Sequence, residues 1–482
     1  MSWSRMIWNL LTRARGLAMG VARVLPILGV AFLVACGGET KRLPNVVLVI
    51  GDTLRADALS FQGGMPGATP YVEKIAAQGV QFTQARSHAP WTLPSTASLL
   101  SSLHPLEHGA GGQVPRFKKM DESVTTITRT FKDAGYKTHA IVNVTFLDPR
   151  ALGVTRDFDT VDNRSFESNL ETRIARDTTA AALQWMEENA SDGPFFLLVH
   201  YFDPHCVYAP PKVFRERWAA EPDKATDWTF GTREQMIAIR QGALVPDAET
   251  IARAYALYRG EVAYFDAEVG RLEAGLMAHS AEGDTIFALT SDHGEEFMDH
   301  AGFEHGHSLF DELVRVPLIL RAPGRLTPGV IDAPVRHIDV APTLAELCNL
   351  PVPAQFVGRS LVGLANGESE DVPRGTLAHG NFWGAPLDSW TKGGWKLIRK
   401  GDGSLMLFDL REDPKELVDL SSTKEERVKS MLAEMETVTK GMEALNRGTS
   451  ASLDAATKSR LEALGYGPGE GRRPESAEDG EK

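Results

Sequence analysis

The sequence predicts an α/β protein: a doubly wound sheet with helices on both faces, plus a small C-terminal antiparallel subdomain. Short apolar, β-branched runs recur up to Arg321 with helical patterns between them. The runs are continuous rather than alternating, as in strands buried on both faces of a parallel sheet. Beyond residue 350 they shorten and glycine-rich turns separate them, the pattern of an antiparallel sheet.

The chain has 482 residues, 43% hydrophobic and 24% charged, which suits a large globular domain with a smaller partner and excludes wholesale disorder. Three cysteines (Cys36, Cys206, Cys348) exclude a disulfide framework or a Cys-rich metal site. A formal charge of −13 argues against nucleic acid as a partner.

Residues 1–35 read as a signal peptide. Arg5, Arg13, Arg15 and Arg23 carry its charge with no acid among them, and Val24–Ala35 is apolar apart from Pro26. That run is shorter than the roughly 20 residues of a spanning helix and suits a signal-peptide core. It ends in Leu33-Val34-Ala35-Cys36, which resembles the bacterial lipobox, so Cys36 is the expected lipidation site. The expected location is the cell envelope, anchored by lipid to a bacterial membrane on its periplasmic or extracellular face. Met19 is an alternative start. Without the four leader arginines the charge falls from −13 to −17, so an anionic substrate must be held by local chemistry such as metal ions.

The α/β domain is expected over 43–349. Its strands are Asn45–Ile50, Thr138–Asn143, Phe195–Tyr201, Asp284–Thr290 and Val316–Arg321. Helical spacing marks Tyr71–Gln78, Ser123–Ala134, Leu170–Asn189 and Thr250–His279. The subdomain, 350–446, holds strands Thr376–Phe382, Trp395–Arg399 and Leu405–Leu410 and a charged helix over Lys424–Leu445. A tail follows over 447–482, expected to be disordered from about 466, where glycine, proline and charge dominate.

Ligands of doubly wound sheets gather beyond the C-terminal strand ends, and three polar clusters stand there. Asp52 follows the opening strand. Thr92 precedes Pro94 at the start of an expected helix, where the dipole favours negative charge. Asp292 and His293 close another apolar run and offer adjacent oxygen and nitrogen donors to one divalent metal. Glu295 and Glu296 are candidate orienters of His293. Arg55 and Asp57 are expected to tie down the metal loop. His104 and His108 read as structural, and Cys206 and Cys348 as unpaired thiols. The 204–245 segment, with Trp218, Trp228 and a Pro-Pro pair, is expected to line the mouth of the site.

Taken together, Asp52-Thr-Leu-Arg-Ala-Asp57, Pro90-Trp-Thr-Leu-Pro-Ser95, His200-Tyr-Phe-Asp-Pro-His205, Ser291-Asp-His-Gly-Glu295 and Glu304-His-Gly-His307 resemble the sulfatase-like branch of the alkaline phosphatase superfamily. The resemblance runs from about Pro44 to Leu410, with an echo in Leu461–Tyr466. It implies a metal-dependent hydrolase cleaving a phosphate (diester or phosphonate-type) or sulfate ester, small or polymeric. It implies Asp52, Thr92, Asp292 and His293 as metal ligands, with Thr92 also the nucleophile. His205 and His305 would contact substrate oxygens, protonate the leaving group, or join Asp203 around a second metal. Asn143, Asp203 and His307 are the candidate substrate-binding residues.

The chain departs from sulfatases in ways that bear on chemistry. Sulfatases carry Cys or Ser in a Cys/Ser-x-Pro-x-Arg motif and convert it to formylglycine; here Thr92 stands first and Thr96 replaces the arginine. The extra methyl would give a ketone rather than an aldehyde, so no formylglycine is expected. Gly51 replaces the first of an aspartate pair, which weakens the case for calcium. A lysine-bearing segment is absent, with Asn143–Leu147 roughly in its place, and His305 stands where a second lysine is usual. A threonine nucleophile with Asp and His ligands is similar to the superfamily's phosphodiesterases and phospho-group transferases. Zinc or manganese is therefore favoured, with calcium or magnesium possible. The alternatives are a phospho-headgroup transferase acting on an envelope acceptor, a true sulfate ester hydrolase, and a catalytically silent binder of anionic glycan or lipid.

Overall fold

The computed structural model describes residues 43–114, 116–163, 173–219, 230–279, 285–369, 374–443 and 448–463. The leader with Cys36, Trp228 and the tail beyond 463 lie outside them. The central sheet is built from β1 (Asn45–Gly51), β2 (Val80–Arg86), β3 (Lys137–Ile141), β4 (Thr160–Asp162), β5 (Phe195–Tyr201), β6 (Thr285–Ser291), β7 (Leu318–Arg321) and β8 (Gly329–Arg336). Their order is β8-β2-β7-β6-β1-β5-β3-β4. β7 runs antiparallel to β2 and β6, and the other pairings are parallel, so the sheet is mixed.

Successive side chains of a strand point to opposite faces, and the apolar runs fill two cores accordingly. Val46, Leu48 and Ile50 join one core with Phe196 and Ile286, while Val47 and Val49 join the other with Leu197 and Phe287. The helices Thr92–Ser101, Ile127–Asp133 and Val340–Leu347 cover the first face through Leu93, Phe131 and Leu344. Pro70–Ala77, Ala175–Asn189 and Ala248–His279 cover the second through Ile75, Met186 and Leu257. Sequence periodicity missed β2, β4 and β8. β4 and β8 are edge strands, and β8 carries Pro334, which an edge tolerates. β2 is interior, but its buried Val80 and Phe82 alternate with half-buried Gln81 and Thr83.

Thr376–His379, Asp388–Lys392, Trp395–Arg399 and Leu405–Asp409 form a four-stranded antiparallel sheet. The helix Glu425–Glu443 packs on it through Val428, Met431 and Met435 against Leu377, Leu397 and Leu407. The expected strand Thr376–Phe382 ends at His379, and 380–387 instead form the loop to the next strand. Part of the tail is structured: Thr449–Ser450 pairs with Arg116–Lys119, and a helix follows over Ala455–Ala463.

A buried charge network fastens this sheet to the central one. Asp311 binds Arg86, at the end of β2, at 2.7 Å and Lys396, in the small sheet, at 3.0 Å. Lys396 is fully buried and also meets Glu416 at 2.9 Å. Burial works against the Asp311 carboxylate, but Arg86 and Lys396 outweigh it and hold the carboxyl well below its ordinary value. Its stabilisation is therefore present at neutral pH and is lost as pH falls below about 4, the unfolded-state pKa. Asp311→Asn should cost about 3–5 kcal/mol, because it removes the carboxylate paired with buried Arg86 and one of the two paired with buried Lys396. Denaturant unfolding at pH 7 checks this, and the deficit should narrow at low pH.

Candidate functional site

The register of three parallel strands assembles the site. Gly51 of β1 pairs with Ser291 of β6, so Asp52 and Asp292 leave the sheet side by side. Ile50 pairs with His200 of β5, which brings the imidazole to the same end. Ligand atoms of Asp52, His200 and Asp292 lie within 4.8 Å of one another, and all three residues are fully buried. His200 Nε2 is 3.3 Å from Asp52 Oδ2. His293 Nε2 lies 3.7 Å from Asp52 Oδ1 and 3.4 Å from Asp292 Oδ2.

Thr92 completes the cluster, with Oγ1 3.3 Å from His293 Nε2. It is the first residue of the helix Thr92–Ser101, entered through extended Trp91, so its hydroxyl sits at the positive end of the dipole. The Ser95 hydroxyl donates to the Asp292 carbonyl and lies 3.2 Å from His337 Nδ1, fastening this helix to the Asp292 loop. Two further ties hold the Asp52 loop. The Tyr258 hydroxyl donates to the Thr53 carbonyl and accepts from the Arg55 amide, each at 2.9 Å. Arg55 pairs with Asp57 and Asp299 and donates to the Glu295 carbonyl at 3.0 Å.

Gly294 lets the Asp292–His293 turn approach its neighbour, since a Cβ there would lie 1.9 Å from the Glu312 carbonyl oxygen. Gly51, where a carboxylate is usual in sulfatases, packs against Phe265: a Cβ would stand 3.2 Å from that ring.

Three histidines follow one orientation rule. His293 Nδ1 is 2.9 Å from the Gly294 carbonyl, His305 Nδ1 is 2.8 Å from a Glu295 oxygen, and His205 Nδ1 is 2.5 Å from the Cys206 carbonyl. A carbonyl or carboxylate only accepts, so the proton sits on Nδ1 and Nε2 carries the lone pair. The rings form a row, His293 to His305 at 4.5 Å and His305 to His205 at 4.9 Å between centroids. Burial and neighbouring imidazoles pull His205 to about 3 and His305 well below its ordinary value, so both are neutral.

The carboxylates show what the cluster lacks. Burial and then Asp292 push the Asp52 carboxyl well above its ordinary range, while His293 and His200 hold Asp292 below it against the cost of burial. Both Asp52 oxygens, Asp292 Oδ2 and both His200 nitrogens are buried without a hydrogen-bond partner. Orphaned carboxylate and imidazole atoms of three residues, within 4.8 Å of one another, fit a divalent cation, and mixed oxygen and nitrogen donors suit a transition metal.

Asn143, Asp203 and His307 are held by groups other than the cluster's ligand atoms, and Asn143 Oδ1 and Asp203 Oδ2 are buried without a hydrogen-bond partner. The Asn143 amide donates to Thr178 at 3.0 Å and to the His200 carbonyl, behind the cluster. Asp203 is hydrogen-bonded to Glu261 of the long helix, and burial raises its carboxyl to about 7. His307 is held by Glu296 at 2.7 Å. Glu295 and Glu296 therefore orient His305 and His307, whereas His293, their expected partner, is oriented by a backbone carbonyl. Cys206 and Cys348 are free, and His108 is used within the fold, 3.1 Å from Ser98. Sequence reading did not assign His200 a site role. The signal was a polar residue at the penultimate position of a wholly buried strand.

A buried Asp/His cluster with a hydroxyl at its edge, at the strand ends of an α/β sheet, is a candidate metal site. The sulfatase family profile matches residues 44–350, and a second, "N-sulphoglucosamine sulphohydrolase, C-terminal", matches 299–442. The chain belongs to the sulfatase family and so to the ester hydrolases, and members of that family use a divalent metal ion. It is 25% identical to the "Uncharacterized sulfatase YidJ" of Escherichia coli K12 over 78% of this chain and 83% of that one. It is 26% identical to the "Arylsulfatase" of Clostridium perfringens, over 79% and 91%. In fold it resembles BT4656, solved with its substrate D-glucosamine-2-N,6-O-disulfate (TM-score 0.69, 20% identity, 84% of this chain and 99% of that one). It also resembles the phosphonate monoester hydrolase of Agrobacterium radiobacter (TM-score 0.65, 20% identity, 84% and 96%).

The full chain, dialysed free of chelator against zinc or manganese, should retain a stoichiometric ion measured by mass spectrometry. Asp292→Ala and His200→Ala should each weaken it by at least the ~10–100-fold that loss of an outer-shell partner costs. Unchanged affinity in His200→Ala would remove that residue from the site.

Proposed function

We propose that the protein is a metal-dependent ester hydrolase in which Thr92 is the nucleophile and a phosphate diester or phosphonate-type ester is the preferred substrate. The observation that carries this reading is the Thr92 hydroxyl, 3.3 Å from His293 and at the edge of the Asp52–His200–Asp292 cluster. Asp52, Asp292, His293 and His200 would hold the cation, with zinc or manganese favoured. When bound, that ion supplies Lewis-acid stabilisation and lowers the pKa of a neighbouring hydroxyl.

Thr92 Oγ1 loses its proton to solvent and attacks phosphorus in line; the bond to the leaving oxygen breaks as the new ester forms. The helix dipole favours the negative charge on Oγ1 before attack. His305 begins neutral, but an anionic ester beside it raises its pKa, and its protonated form delivers a proton to the leaving oxygen. Glu295, fixed by the Tyr208 hydroxyl at 2.9 Å, steadies the imidazolium. His205, next in the row, contacts the same oxygens. Water then cleaves the threonine ester.

A sulfate ester and a phosphonate ester are the substrates named for two structural relatives, so the shared fold leaves the choice to the nucleophile. A formylglycine hydrate releases sulfate by collapsing to the aldehyde, which threonine cannot do. A threonine ester must be displaced at the central atom, chemistry established for phosphorus in covalent catalysis. We further propose envelope anchoring through lipid on Cys36, supported by the arginine-led apolar run and its Leu-Val-Ala-Cys ending.

The test compares 4-nitrophenyl sulfate, the phosphate monoester, a phosphate diester and a phosphonate ester on the full chain with zinc or manganese. Diester or phosphonate cleavage should dominate, and Thr92→Ala should reduce kcat by on the order of 10³-fold or more. Dominant sulfate cleavage, lost in the same variant, would overturn the substrate ranking while keeping the nucleophile. Activity that survives the variant would overturn the nucleophile.

A further inference from the structure

One guanidinium stands just beyond the row of histidines. Arg240 closes the helix Arg233–Arg240, whose start is fixed by reciprocal bonds between Thr232 and Gln235. A cation in the last turn also suits the helix dipole. Its guanidinium lies 3.4 Å from Glu304, the neighbour of His305, and 4.5 Å from the Trp383 ring centroid. Its charge is among those that depress His305.

Trp383 belongs to the loop between the first two strands of the C-terminal sheet. That loop is docked on the His305 turn, where the Phe382 and Trp383 amides both donate to the Gly306 carbonyl, at 2.5 and 3.0 Å. An aromatic row runs from Thr92's neighbour Trp91 to Phe382 and on to Trp383, each step 4.7 Å between centroids. The row and the histidines thus lead from the nucleophile to the same arginine by two routes.

Charge explains why a cation is needed there. Asp52, Asp292, Glu295 and Glu304 are all buried around the reaction centre, and one divalent ion offsets two of their charges at most. An anionic ester with a second negative group would meet repulsion from each of these carboxylates. Arg240 has a planar fork matched to an oxyanion, and Trp383 and Glu304 hold it in one orientation, which lowers the entropy lost on binding. About a tenth of its side chain remains exposed.

Resting on the hydrolase reading above, we propose that Arg240, seated on Trp383, is the specificity residue of the site and receives an oxyanion on the leaving-group portion of the ester. The route past His305, the leaving-group side of the reaction, assigns it that portion rather than the transferred group. A carboxylate, a sulfate and a phosphate share the chemistry it recognises. Trp383 is a positioning residue that acts through the arginine.

The test uses two esters that differ only in the leaving group, 4-nitrophenyl and 2-carboxy-4-nitrophenyl, in the ester class the full chain cleaves. The ratio of kcat/KM for the carboxylated over the plain ester should fall about 10–100-fold in Arg240→Ala, mainly through KM, as for a lost charge-assisted bond. Arg240→Lys should recover part of the ratio. Trp383→Phe should keep most of it, whereas Trp383→Ala should lose it. An unchanged ratio, or equal losses on both esters, overturns the proposal. If the wild type cleaves neither ester, the hydrolase reading fails, and calorimetric binding of 5-nitrosalicylate then decides the arginine separately. Affinity should fall about tenfold or more from Thr92→Ala to the Thr92→Ala, Arg240→Ala double variant, and equal affinity overturns the proposal.

Discussion

The structure turns on two buried carboxylates set side by side, where burial and mutual repulsion penalise charge on both. Parallel pairing of β1 with β6 delivers Asp52 and Asp292 to one place, and β5 adds His200. None of Asp52 Oδ1, Asp52 Oδ2 and Asp292 Oδ2 has a hydrogen-bond partner, so the arrangement is costly in the absence of a cation. The surroundings are built to stop it relaxing. Ser95 pins the Thr92 helix to Asp292, Tyr258 pins the turn after Asp52, and Arg55 clamps the Glu295 backbone.

A second layer sets proton positions rather than charge. Each of His293, His305 and His205 gives its Nδ1 proton to a fixed acceptor, two of them backbone carbonyls. Burial keeps His305 and His205 neutral at rest, which leaves them capacity to take up a proton when an anion arrives. The C-terminal sheet contributes to this layer from outside. Its loop seats Phe382 and Trp383 against the turn that carries His305, and its Lys396 is buried against Asp311 of the large domain. The subdomain thus supports the turn that carries His305.

Apolar continuity made β1, β3, β5, β6 and β7 readable, because strands covered on both faces need hydrophobic residues at every position. Residues that follow such runs could be nominated for chemistry, and Asp52, Asp292, His293 and Thr92 do converge. His200 was harder to find because it sits inside a strand instead of after it. β8 and β4 at the sheet edges were hidden by their polarity, and β2 by interleaved polar residues. Glu295 and Glu296 hold His305 and His307 rather than His293, because the turn with positive φ at Met298, Ala301 and Glu304 folds those histidines back onto them.

By itself the sequence determined the α/β class, the order of its main strands and helices, and the residue types of the reaction centre, since burial on two faces and strand-end placement are written in local pattern. It also placed a threonine, Thr92, at the start of the helix that borders the cluster. Tertiary structure alone decided the rest: which strands are neighbours, that their register sets Asp52, His200 and Asp292 within 4.8 Å, and which acceptor fixes each histidine. Arg240 and Trp383 lie more than a hundred residues apart in the chain, and only the docking of the small sheet stacks one on the other. Register and docking are long-range packing choices, and no local pattern of side chains encodes them.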